Sequence, residues 1–120
     1  MKKVFLIIAL VIFMTACSSS NVAKKYKADY KQINKKDALK LVSKGNTVIL
    51  DVRNELDYSK KHIKNSINIP YDEIDNIINE VSKDEIVIIY GSTKKQSKTA
   101  SIKVINLGYS LVYDMGIYED

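Results

Sequence analysis

Glu85-Ile86-Val87-Ile88-Ile89-Tyr90 runs straight into the polar stretch Gly91-Ser92-Thr93-Lys94-Lys95-Gln96. The first stretch is β-branched and apolar without alternation. That pattern describes a strand covered on both faces, as parallel sheets require. A second run of the same kind, Thr47-Val48-Ile49-Leu50-Asp51-Val52, lies upstream. Helical patterns stand between and around the two. Asn34 can cap a helix carrying Ala38, Leu39 and Val42 on one face, with Gly45 as its stop. Residues 55–60 suit one or two helical turns. Residues 71–81 place Ile74, Ile77, Ile78 and Val81 on one helical face. Residues 97–107 read as a helix with Ala100, Val104 and Leu107 in phase, Ser97 as its N-cap and Gly108 as its end. Shorter strands are expected at 30–33, at 66–69 before Pro70, and at 110–113.

Strands alternating with helices predict right-handed crossovers and an α/β fold: one domain with a central, mostly parallel sheet and helices on both faces. In such sheets the functional site lies outside the carboxyl ends of the strands. That directs attention to Asp51-Val52-Arg53 and to the loop Gly91–Gln96.

The first residues carry a different signal. Lys2-Lys3 precede an apolar run over 4–14, and Thr15-Ala16-Cys17 follow. A positive start, a short apolar core and small residues are the parts of a secretory signal, and the run is shorter than the roughly 20 residues a membrane span needs. Met14-Thr15-Ala16-Cys17 resembles the box that ends bacterial lipoprotein signals, in which the cysteine is lipidated and becomes the mature N-terminus. At least two acyl chains would then hold the protein firmly. Residues 1–16 are expected to be a lipoprotein-type signal peptide and 17–29 a lipidated, lysine-rich flexible tether. The domain would follow over 30–120, and the protein would sit on the extracytoplasmic face of the cell membrane.

Removing residues 1–16 leaves 104, enough for one domain. The formal charge of +5 includes Lys2 and Lys3, so the mature chain is only mildly basic. Its basic residues are scattered lysines, with Arg53 the single arginine. No basic stripe interleaves with aromatics, so nucleic acid is not an expected partner. Cys17 is the only cysteine, which leaves no disulfide framework, no thiolate metal site and no redox dithiol in the domain. No carboxylates pair at a spacing that suggests metal or glycosidase chemistry, and no cofactor is implied.

Several segments together resemble the rhodanese-like domain family. They are Ile49-Leu50-Asp51-Val52-Arg53, then Asp57-Tyr58, His62-Ile63 and Ser66-Ile67-Asn68-Ile69-Pro70. Later come Leu107-Gly108-Tyr109 and Val112-Tyr113-Asp114-Met115-Gly116. The resemblance covers about 30–116. Active members are sulfurtransferases whose catalytic cysteine directly follows the strand that ends here at Tyr90. Its thiolate takes sulfane sulfur from a donor such as thiosulfate and passes it on as a persulfide. The loop after it turns backbone N–H groups toward the sulfur at a helix N-terminus, which favours negative charge and lowers a thiol pKa.

In this chain that position is Gly91, and Lys61 replaces the glycine usual before the family's histidine. Ser92 and Thr93 are weak nucleophiles without a positioned base, and a hydroxyl cannot carry a persulfide. The only histidine, His62, is expected to be structural. The resemblance thus implies a degenerate catalytic position at Gly91. It also implies an anion-binding loop of Gly91, Ser92, Thr93, Lys94, Lys95, Gln96 and Ser97. Asp51 and Arg53 would be either a pocket wall or an ion pair steadying the strand end.

The expected function is binding of a small anion or a protein partner by a membrane-anchored, catalytically inactive domain. The alternatives are a sulfurtransferase that borrows a thiol supplied in trans and a purely structural module. Many family members continue into a terminal helix where this chain has only residues 117–120. The domain is therefore expected to be trimmed or to complete its edge against another protein.

Overall fold

The computed structural model of the chain describes residues 29–119. The readings made for 1–28, Cys17 and the lipobox among them, lie outside the described residues. Five strands, β1 (Lys31–Gln32), β2 (Thr47–Asp51), β3 (Ile67–Asn68), β4 (Ile86–Gly91) and β5 (Val112–Ile117), form one sheet in the order β1-β5-β4-β2-β3. Every neighbouring pair is parallel. The expected α/β fold with a parallel sheet is therefore the fold of the chain.

The twice-covered character of β2 and β4 is visible in their alternation. Leu50, Val87 and Ile89 enter one core with Ile74, Ile77, Ala100, Val104 and Tyr109. Ile49, Ile88 and Tyr90 enter the other with Ala38 and Ile63. Successive side chains of a strand point to opposite faces, so a strand with a core on each side must be apolar throughout.

Helix α1 (Lys35–Ser43) starts where the sequence places its cap, with the Asn34 side chain accepting from the Asp37 N–H at 2.8 Å. Asn54 caps α2 (Glu55–Lys60) in the same way through the Asp57 N–H. Two expectations fail. The helix read over 71–81 is a 3-10 segment, Tyr71–Asn76, followed by the short α3 (Ile77–Glu80), with a break at Glu73. Ile74, Ile77 and Val81 are buried, but Ile78 is 52% exposed. The last strand also begins later and runs further than 110–113, to Ile117, past an irregularity opposite Ile89 and Tyr90.

The carboxyl ends of the central strands lie side by side. Asp51 aligns with Tyr90, Tyr90 with Gly116, and Gly91 with Ile117.

Candidate functional site

The stretch read as a six-residue loop is mostly not a loop. Gly91 is the last residue of β4, and α4 begins at Lys94 and runs to Asn106. Thr93, not Ser97, is the N-cap: its hydroxyl accepts from the Gln96 N–H at 3.0 Å. Ser97 is buried inside the helix. Its hydroxyl donates to Asp114 Oδ1, and it lies 3.2 Å from the Ile89 carbonyl. The same Asp114 oxygen accepts from the Gly116 N–H at 2.9 Å, so Ser97 ties α4 to β5. The signal for the true cap was present. Thr93-Lys94-Lys95-Gln96 has the spacing of a capping box, a hydroxyl residue followed three positions later by Gln.

The Gln96 side chain folds back as that spacing suggests, but reaches one residue further than the standard motif. Its Oε1 accepts from the Ser92 N–H at 2.9 Å and from the Ser92 hydroxyl at 2.8 Å. A Cβ added to Gly91 would meet this oxygen at 2.8 Å, with Ser97 N and Val52 Cγ2 each at 3.3 Å. The loop's first donors are thus turned toward an oxygen the chain itself supplies. The N–H of Ser97 bonds the Thr93 carbonyl. Ser92, Thr93, Lys94 and Lys95 are exposed, and Gln96 is half-buried.

Below the loop, Asp51 and Arg53 form a buried ion pair at 2.8 Å, with Asp51 0% and Arg53 7% exposed. Arg53 donates through Nε and Nη2 to Asp51 and through Nη2 to the Lys61 carbonyl at 2.6 Å. Its guanidinium lies 4.1 Å from the centre of the Tyr118 ring and 5.5 Å from that of Tyr90. Burial works against the charged guanidinium, but the hydrogen bonds and charge of Asp51 outweigh it and raise the pKa. The Tyr90 hydroxyl accepts from the Ile63 N–H and pairs with Ser66 Oγ, each at 3.2 Å. Burial first, and the nearby Asp51 carboxylate second, push its pKa up to about 12.

His62 lies between Lys61 and Ile63 of this network, but its ring stacks on Tyr58 at 3.9 Å, with Nδ1 2.7 Å from the Tyr58 carbonyl. Among the described residues no group of three or more His, Cys, Asp or Glu could hold a metal, and no helix is long and apolar enough to cross a membrane.

The comparisons with known proteins agree with this architecture. The thiosulfate sulfurtransferase GlpE of Coxiella burnetii is 28% identical over 86 residues, 72% of this chain and 80% of that protein. A solved rhodanese with anions from E. coli is 30% identical with a TM-score of 0.56, over 59% of this chain and 86% of the other. A rhodanese-related protein from Thermoplasma volcanium is 25% identical with a TM-score of 0.60, over 72% and 86% respectively. The family model for the rhodanese-like domain matches residues 34–119, from the cap of α1 to the end of the described chain, and the chain belongs to that family.

Proposed function

We propose that this chain is a non-catalytic rhodanese-like domain, held at the outer face of the membrane by a lipid on Cys17. In this reading it binds an anion or a protein partner at the carboxyl ends of its strands. The observation that carries it is at Gly91. The residue after Tyr90 has no side chain, and the space a side chain would use is taken by the Gln96 carboxamide oxygen. The sequence outside Cys17 has no thiol to replace it. The Asp51–Arg53 pair, 0% and 7% exposed, then steadies the end of β2. That a related rhodanese was solved with anions supports the anion arm.

The test is a thiosulfate:cyanide transfer assay on the purified full chain. The expected result is no turnover above the no-enzyme control. Turnover without added thiol overturns inactivity, and turnover only with an added thiol favours a sulfurtransferase completed in trans. Sulfate and thiosulfate titrations followed by thermal melting test the anion arm, since a ligand that binds only the native state raises the melting point in a saturable way. Acylation of Cys17 is read by mass spectrometry of the membrane-extracted protein.

A further inference from the structure

Two adjoining cavities of about 300 and 470 Å³ share Ile33, Lys94, Met115 and Gly116, and together make one groove at the carboxyl ends of β1 and β5. Its floor is apolar, from Ile33, Ile63, Met115 and the 41% exposed Ile117. Its rim carries Lys35, Lys94, Lys95 and Lys98. Among the described residues no ion pair engages Lys94, Lys95 or Lys98, and the Lys35 ammonium donates to the Glu119 carbonyl.

Two carboxylates also line the groove. Asp114 is already held by Ser97 and Gly116, and Glu119 stands at the edge. Positive charge is in excess. The first turns of α1 and α2 carry Asp37, and Glu55 with Asp57, whereas the first turn of α4 has no acid and two lysines. Lysines there face the positive end of the helix dipole, so a negative group arriving from outside is favoured by both.

We propose that this groove docks an acidic segment of a partner protein, with an apolar side chain seated on Ile33 and Met115 and carboxylates against Lys94, Lys95 and Lys98. The proposal rests on the binding reading above and names the partner's chemistry. Concavity separates this occupant from an anionic bilayer. A flat surface meets the lysine rim and leaves the apolar floor empty, whereas an extended segment fills both.

Labelled short peptides test it by fluorescence anisotropy on the full chain: repeating Glu-Glu-Leu, repeating Glu-Glu-Ser and repeating Gln-Gln-Leu. The Glu-Glu-Leu peptide is expected to bind saturably and to weaken with added salt. The other two should bind at least about tenfold more weakly if floor and rim each contribute on the order of one decade. Lys94→Glu with Lys98→Glu should cost about tenfold and Ile117→Ser several-fold, while Lys83→Glu, exposed on the turn that precedes β4 at the opposite ends of the strands, changes little.

Equal binding of the Glu-Glu-Ser peptide, an equal loss in Lys83→Glu, or no saturable binding overturns the proposal. Displacement of the peptide by soluble dihexanoyl phosphatidylglycerol would instead assign the groove to lipid headgroups and overturn it as well. Transfer activity bears on inactivity alone, so turnover with intact peptide binding leaves the groove standing. Inactivity without peptide binding removes the groove and leaves the wider reading in place.

Discussion

Gln96 Oε1 lies 2.8 Å from where a Cβ on Gly91 would stand, with the Ser92 N–H and hydroxyl both directed at it. A neutral carboxamide oxygen thus occupies the spot toward which a side chain at 91 would point. The contact is with the far end of a side chain, so it can be relieved.

This gives a two-step expectation for restoring sulfur chemistry. In a Cys17→Ser background, Gly91→Cys alone must push Gln96 aside and gives little persulfide. Gly91→Cys with Gln96→Gly frees the Ser92 donors for a thiolate. That thiolate attacks the sulfane sulfur of thiosulfate, and sulfite leaves. Mass spectrometry after thiosulfate treatment should show one added sulfur mainly in the second variant. Equal loading of the two would mean that Gln96 is no obstacle.

The buried pair Asp51–Arg53 makes opposite demands on single and double substitutions. Arg53→Met leaves a carboxylate at 0% exposure without its cation, a loss of about 3–5 kcal/mol. Arg53→Lys should also be costly, because a lysine cannot donate through both Nε and Nη2. Asp51→Asn with Arg53→Met removes both charges and should cost less than the two single losses added together. Urea unfolding of the wild type, Asp51→Asn, Arg53→Met and the double variant measures the difference, and strict additivity would contradict a coupled pair.

Tyr90 predicts alkaline sensitivity. Burial holds its folded pKa at about 12, above the ordinary tyrosine value of 10.0. A raised pKa stabilises fully below the unfolded value, and the contribution is lost as pH climbs from about 10 toward 12. The shift corresponds to about 2–3 kcal/mol at most. Tyr109, raised chiefly by burial, acts in the same direction. Lysines titrate in this window too, so the informative quantity is the comparison with Tyr90→Phe. That variant should lose about 1–2 kcal/mol at pH 8 by stranding the Ile63 N–H, yet fall less steeply between pH 10 and 12. Parallel pH curves would rule the tyrosine out as the source.

Neighbouring isoleucines should behave very differently. Ile77→Ala removes a fully buried side chain and is expected to cost about 2–5 kcal/mol. Ile78→Ala, one residue on and 52% exposed, should stay within about 0.5 kcal/mol. Thermal melting of the two variants checks the phase of this segment.

That phase explains one limit of what the sequence discloses. A 3-10 turn advances three residues per turn, so Ile74 and Ile77 eclipse and Ile78 rotates off the face on which an α-helical count puts it. Regular elements were legible because one local pattern governs each. The apolar runs of β2 and β4, the Asn34 cap and the 55–60 turn all fall where periodicity and capping chemistry put them. The start of α4 was misread because Lys94 and Lys95 look like loop residues and Ser97 looks like a cap. The choice of Thr93 depends on Ser97 being needed elsewhere, against Asp114. The cation–π contact of Arg53 with Tyr118 has no local signature. It arises only when the end of β2 is brought beside the residue that follows β5.

The order of the sheet has a mechanical consequence. The chain enters at β1, which is fixed to β5 by parallel pairing of Lys31 with Tyr113 and Gln32 with Asp114, and by the Ile33 N–H on the Asp114 carbonyl. That entry is at the amino ends of the strands, and the lysine-rimmed groove is at the opposite ends. Were the chain held through its N-terminal segment, a pull on the groove would run along the strand axes. The β1–β5 bonds would meet it in shear, sharing the load at once instead of unzipping one after another.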